Sequence, residues 1–297
     1  MKRATKASLA GRRYLELQRA AKRSRRPTDE LIQLYALECF LDRLARSKYA
    51  GNFVLKGGVL LAALDARRPT RDIDLAARAL ENSAAQALAS VQEIAGISLD
   101  DGLVFDATRA TAEVIRDEDH YSGIRITLGG SLSRATVHLH VDINVGDPIW
   151  PEPQEVRLPR LLEGELVVQG YPLEMVLAEK IVTALARGTV NTRGRDFVDV
   201  YVLVRRHTVN AQTLRESMQR VAQYRGVTLA RLRPTLAGYA EIAQSRWIAW
   251  LRKQRLEGIV PAEFSTVLEV VNSFADAVLV GPGATSSTWD PVAGSWG

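Results

Sequence analysis

Apolar positions along this chain change period twice. Up to about residue 96 they recur mostly at helical spacing, and from Leu103 to Val145 they alternate. Beyond Leu173 they return to helical spacing. In the first stretch Leu31, Leu34, Tyr35, Leu37, Phe40, Leu41 and Leu44 form one stripe. They predict a helix opened by Pro27, with Thr28 as N-cap and Asp29 and Glu30 in the first turn. Phe53-Val54-Leu55 reads as a short buried strand, Gly57-Gly58 as a break, and residues 59–64 as a helix. Arg67 to Thr70 reads as a turn and Asp72 to Leu75 as a strand, with a helix from Ser83 to Ile94 and a turn at Asp100-Asp101-Gly102. The alternating stretch predicts strands at 103–105, 112–115, 124–128 and 136–145. Pro148, Pro151, Pro153 and Pro159 then form a crossing between two domains. Leu173 to Arg187 is a predicted helix with Leu173, Leu177, Ile181 and Ala184 as its apolar stripe. Asp196 to Arg206 is another, and the helical pattern continues to about Leu279. The expected organisation is α/β (α+β): an arm over 1–27, a mixed-sheet core over 28–160, a helical domain over 161–280 and a disordered Gly/Ser/Pro-rich tail over 281–297.

Composition changes this picture little, but charge changes it more. The 297 residues are 46% hydrophobic and 25% charged, enough for a sizeable core. The single cysteine, Cys39, excludes an internal disulfide and leaves too few thiols for a structural zinc site. No apolar run approaches a membrane span, and the first residues lack the apolar region of a secretory signal, so a cytoplasmic protein without membrane association is expected. The formal net charge of +5 is strongly partitioned: +9 over 1–26, −6 over 27–206, +6 over 207–260 and −4 over 261–297. An acidic middle between basic flanks suits a cation site with arms for a polyanion, although a basic run alone is commonly a solvated helix face.

Three constellations carry candidate chemistry. The first is Lys56-Gly57-Gly58 with Asp72 and Asp74. A glycine pair between strand and helix lets backbone amides approach a phosphate. Two carboxylates two residues apart on a strand share a face at about 6–7 Å. They repel by roughly 2–3 kcal/mol at an effective dielectric of 20, a cost that a divalent ion reverses. Mg²⁺ prefers such hard oxygens together with substrate phosphates. The same two acids also fit a plain exposed turn. The second constellation is the strand 136–145, where Asp142 lies on the polar face with His138 and His140 and supplies a third acid. A His/His/Asp zinc site is disfavoured because no water-activating Glu stands nearby. The third is Lys180, followed by Arg193, Arg195, Asp196 and Asp199. Asp196 and Asp199 stand one turn apart on a helix, and an ordinary surface ion pair with Lys180 is the alternative reading.

Taken together, these segments resemble the AbiEii/AbiGii toxin family of nucleotidyltransferases, which includes the MenT toxins. The resemblance runs from about Leu31 to about Arg206. It rests on FVLKGG, RPTRDIDLAAR, DDGLVFD with AEVIRDEDHYSGIRI, VDINVGDP, YPLEMVLAEKI and NTRGRDFVDVYVL in that order. It implies a DNA polymerase β-like nucleotidyltransferase core followed by a helical domain, and a toxin controlled by a separately encoded antitoxin. It also implies nucleotide transfer from an NTP with Mg²⁺ or Mn²⁺, in some members to the 3′ end of tRNA, blocking translation. By position, Gly57 and Gly58 match the nucleotide-cradling motif, Asp72 and Asp74 the metal-binding pair, and Asp142 the third acid. Lys180 and Asp196 match the essential lysine and aspartate of the later motif, with Lys56 and Arg195 as further nucleotide contacts. Two departures stand out. Gly58 is followed by Val59 where many members have Ser, and Arg195 stands where many have Lys. Arg keeps the charge but meets phosphate as a planar fork. The expected function is NMP transfer to RNA, most simply tRNA. The alternatives are a protein nucleotidyltransferase acting on a Ser, Thr or Tyr hydroxyl, and a non-enzymatic RNA-binding module.

Overall fold

The computed structural model describes residues 6–66, 70–78, 83–116, 122–280 and 287–297. The turn expected at Arg67 to Pro69, the acidic stretch 117–121 and residues 281–286 of the expected tail lie outside the described residues. The chain divides into two compact units, Met1–Asp147 with Pro153–Tyr171, and Pro148–Glu152 with Pro172–Gly297.

The first unit opens with α1 (Leu9–Ser24) and α2 (Thr28–Ala45). Pro27, not Thr28, is the N-cap of α2, and no side chain caps it. Proline fixes its own φ near the value the entry needs, and Asp29 and Glu30 complement the dipole, so the helix starts without a hydroxyl cap. Next come β1 (Phe53–Lys56), the single turn α3 (Gly57–Leu60), a 3₁₀ turn over Leu61–Leu64, β2 (Asp72–Ala77) and α4 (Ala84–Ala95). The helix expected over 59–64 is thus split between these two short turns. The two short strands expected at 103–105 and 112–115 are one long strand, β3 (Leu103–Arg116), whose register shifts between Asp106 and Thr111. It is followed by β4 (Ser122–Leu132) and β5 (Ala135–Val145).

The prolines do not keep the crossing free of strands. Val156, Leu158, Leu166 and Val168 are buried on β6 (Gln154–Pro159) and β7 (Glu165–Gly170), and β7 joins β1 in parallel. Residues 161–171 therefore complete the first unit, whereas the helical domain was expected to start at 161. Pro159 closes its strand at an end position, where a missing N–H costs least. The result is a seven-stranded mixed sheet in the order β3-β4-β5-β2-β1-β7-β6. Ile73, Leu75, Val141 and Ile143 are buried on one face, and Asp72, Asp74, His140 and Asp142 alternate with them as half-buried positions.

A buried arginine ties this unit together. Arg43 is 2% exposed and forms an ion pair with Asp101. Its remaining N–H groups donate to the carbonyls of Ile97, Cys39 and Leu103. Cys39 is buried beside it, and burial pushes its thiol well above the ordinary range.

The second unit is mainly helical: α5 (Leu173–Arg187), α6 (Gly194–Val204), α7 (Ala211–Arg225), α8 (Leu232–Thr235), α9 (Tyr239–Gln254) and α10 (Phe264–Val280). The bounds of α5 are those predicted from its apolar stripe. The chain end, expected to be disordered, is ordered over its described part. Here β9 (Thr288–Asp290) and β10 (Ser295–Trp296) extend β8 (Val209–Asn210) into a small sheet. Two tryptophans anchor it. Trp289 and Trp296 pack on Phe274, and their indole N–H groups donate to Val204 O and Phe274 O. The turn-rich composition concealed these anchors. No helix of the described residues is long and apolar enough to cross a membrane.

Candidate active site

Strand register, rather than sequence proximity, assembles the polar face of the sheet. Lys56 on β1 lies opposite Asp74 on β2, Asp74 opposite Asp142 on β5, Asp142 opposite Arg125 on β4, and Arg125 opposite Glu113 on β3. Residues paired in register share a face, so five strands contribute one row of charges across the sheet. Asp72 lies on the same face two residues before Asp74, opposite His140.

Gly57 meets this row at its middle. It has φ +66°, and a Cβ built there would lie 1.9 Å from Asp74 Oδ2. Only glycine lets the chain turn this tightly against the carboxylate. The glycine pair therefore does more than open a helix. The helix it opens is a single turn, and Gly57 itself clears the space that Asp74 occupies.

Lys56, Asp142 and Arg125 of this row have protein partners among the described residues. Lys56 is 8% exposed, its ammonium lies 2.6 Å from Asp147 Oδ2, and it sits over the Tyr171 ring. Asp142 accepts from both arms of Arg125, Nε to Oδ1 at 2.8 Å and Nη2 to Oδ2 at 2.7 Å. Burial lowers the Arg125 guanidinium, but the bond to Asp142 outweighs it, and Asp72 and Glu113 add to the attraction. The net shift is well upward, so Arg125 remains a cation at any working pH. Among the described residues no three His, Cys, Asp or Glu side chains gather as a metal-ligand set. Asp72 and Asp74 fit a divalent ion as a hard-oxygen pair, with the Asp74 carboxylate seated where a Cβ on residue 57 would otherwise lie. Asp142 neighbours that pair in register and would join it by sharing its oxygens with Arg125. His138 is exposed, and His140 Nδ1 pairs with Thr127 Oγ1 at 3.2 Å.

A second cluster lies wholly within the helical unit. Lys180 Nζ on α5 donates to Asp196 Oδ1 at 2.9 Å and Asp199 Oδ2 at 2.7 Å, both on α6. All three side chains are nearly buried. Burial alone would raise the Asp196 carboxyl. The charge and hydrogen bond of Lys180, with Arg195 and Arg193 nearby, outweigh it and hold the group below the usual carboxylate range. Asp196 is thereby kept ionised, which suits positioning and charge better than proton abstraction. A surface ion pair was the plainer expectation for these residues; the structure buries it.

Sequence reasoning did not single out Arg125 or Asp147. A signal for Arg125 existed: the two-residue turn at Ser133-Arg134, with Ser133 at φ 56°, fixes the β4–β5 register and hence Arg125 opposite Asp142. Nothing local pointed to Asp147.

A mixed sheet carrying paired carboxylates beside a glycine turn is the equipment of a nucleotidyl-transfer enzyme. The family model of the nucleotidyl transferase AbiEii toxin, type IV toxin–antitoxin system, matches residues 39–270. The chain belongs to this family. It is a nucleotidyltransferase of the toxin class, with a nucleotide substrate and an antitoxin as partner. Among solved structures it is similar to a provisionally assigned nucleotidyltransferase from H. pylori at 16% identity, covering 84% of this chain and 94% of that one with a TM-score of 0.48. It is similar to JHP933 from Helicobacter pylori at 16% identity, 82% and 88% coverage and a TM-score of 0.46. An antigenic nucleotidyltransferase-like protein from Paracoccidioides brasiliensis shares 16% identity over 70% and 91%, with a TM-score of 0.39. No curated protein matches the chain.

Proposed function

We propose that this protein transfers an NMP from an NTP to the 3′ end of an RNA, with tRNA as the acceptor and loss of translation as the consequence. The observation that carries the chemistry is the Asp72/Asp74 pair, with Gly57 backed against Asp74. Asp72 and Asp74, joined by Asp142, would hold Mg²⁺ or Mn²⁺. When bound, such an ion neutralises triphosphate charge and lowers the pKa of an attacking hydroxyl. Arg125 holds Asp142 at a fixed place in the row, and Lys56 with Asp147 fixes the strand end that enters the glycine turn. Lys180 would offset phosphate charge, Arg195 would add a forked phosphate contact, and Asp196 would orient the acceptor.

The RNA acceptor is supported by the charge partition: residues 1–26 carry +9 and residues 207–260 carry +6. Affinity for tRNA should fall steeply between about 50 and 200 mM salt, as counterion release requires. A filter-binding series with a flat salt response would remove the basic segments from the account.

The test of the whole reading is direct. The protein is incubated with Mg²⁺, total tRNA and each α-labelled NTP in turn, with Asp72→Ala beside it. Label in the tRNA band, absent with the variant, is expected. Label found instead in polypeptides of a cell extract would overturn the RNA acceptor.

A further inference from the structure

The acids on the polar face of the sheet already have a cation beside them. Asp74 and Asp142 stand opposite each other on β2 and β5, and Asp72 shares their face. Neighbouring strands lie about 4.8 Å apart, so carboxylates in that relation repel. Arg125 meets them from β4. Its fork closes on Asp142, with Nε 2.8 Å from Oδ1 and Nη2 2.7 Å from Oδ2. The Asp142 side chain is nearly buried and that of Arg125 half-buried, so salt screens the pair little. Asp72 adds to the attraction on Arg125, and so does Glu113, which stands opposite it on β3.

That arrangement has a cost for a metal ligand. A carboxylate carries two oxygens with about four lone-pair sites. A two-armed guanidinium takes one site on each oxygen and balances the charge. Partners behind a ligand ordinarily orient it and strengthen it, and their loss costs about 10- to 100-fold in metal affinity. A cation held against the ligand oxygens acts the other way, because it repels the incoming ion. The two roles therefore predict opposite signs for the loss of Arg125.

We propose that Arg125 competes with a divalent ion for Asp142. The guanidinium is the built-in counter-cation of the three acids: it keeps them stable together without an ion and makes them hold one loosely. The ion is then taken up for use rather than kept as a fixed part of the fold. The inference rests on the proposed metal role of Asp72, Asp74 and Asp142. It adds to that role a residue that sets the affinity downward.

Mn²⁺ titrations of the full chain without nucleotide test this, read by the electron paramagnetic resonance signal of the free ion. Arg125→Gln should bind Mn²⁺ roughly 10-fold or more tightly than the wild-type protein. Arg125→Lys keeps the charge without the fork and should lie between the two. It carries the test if circular dichroism shows the neutral variant unfolded. Adding Asp142→Asn to Arg125→Gln should abolish the gain, because the gain runs through Asp142. Melting curves give a second readout. Without ion, Arg125→Gln should melt below the wild-type protein, and saturating Mn²⁺ should raise it by more than it raises the wild-type protein. Weaker or unchanged Mn²⁺ binding in Arg125→Gln makes Arg125 an orienting group only and overturns the proposal. The two readings fail separately. Unchanged affinity in Arg125→Gln with binding lost in Asp72→Ala sinks this inference alone. Binding that survives Asp72→Ala sinks the metal role of the acids, and this inference with it.

Discussion

Gly57→Ala should reduce nucleotidyl transfer by about 10²-fold or more while costing only about 1–3 kcal/mol of stability. Two effects combine. An alanine at φ +66° is strained, and its Cβ would lie 1.9 Å from Asp74 Oδ2, so the carboxylate must leave its place. A displacement of that order at a reacting centre is enough for a loss of this size. Gly164→Ala separates the two effects. Gly164 has φ +79°, yet nothing lies within 4 Å of a Cβ there. It should show the backbone cost in a melting curve and leave the initial rate of label transfer unchanged. Equal rates for both variants would mean that the position of Asp74 does not matter to the reaction.

Lys180→Met should destabilise the protein by about 3–5 kcal/mol at neutral pH, because it strands Asp196 and Asp199 without their shared cation. The pH dependence carries a sign that distinguishes this cause. In the wild-type protein Asp196 is depressed. Its contribution to stability is therefore fully present above the ordinary carboxylate pKa and is lost as pH falls through the folded value. In Lys180→Met burial acts on the Asp196 carboxyl without the opposing Lys180 charge and raises it, so this variant should gain stability as pH falls from 7 towards 5. Denaturant melts at pH 7 and pH 5 would show the crossover. Adding Asp196→Leu and Asp199→Leu to Lys180→Met removes the buried charges altogether. That variant should regain most of the stability and none of the transfer. Recovery of transfer would reduce the cluster to a structural strut.

Much of this protein is legible from local pattern. The stripe of α5, the alternation of β5 and the helix expected from Ser83 to Ile94, observed as α4, need only the chain's own local pattern. The Asp72/Asp74 pair is visible for the same reason, since i and i+2 on a strand share a face whatever surrounds them. The misreadings have a common source. β6 and β7 were hidden behind prolines, and the last strands behind glycine, serine and proline. In each case long-range burial overrode local composition: Val156 and Val168 in the first unit, Trp289 and Trp296 on Phe274 in the second. The long strand β3 read as two pieces because its register shifts between Asp106 and Thr111, which interrupts the alternation.

By itself, the sequence determined which residue types were available for phosphate chemistry, which of them shared a strand face, and the family to which their order corresponds. Only the tertiary structure decided their company. Asp142 faces Arg125 because a hairpin register puts them opposite each other, and Lys56 is spent on Asp147, which stands 91 positions along the chain. Asp74 can approach the glycine turn because β1 and β2 pair antiparallel at Lys56 and Asp74. Asn191 joins two tryptophans and three arginines around one cavity because α6 and α9 both pack on α10. Periodicity reports which way a side chain faces. What it meets depends on pairings between distant segments, and those are fixed by burial of the whole core.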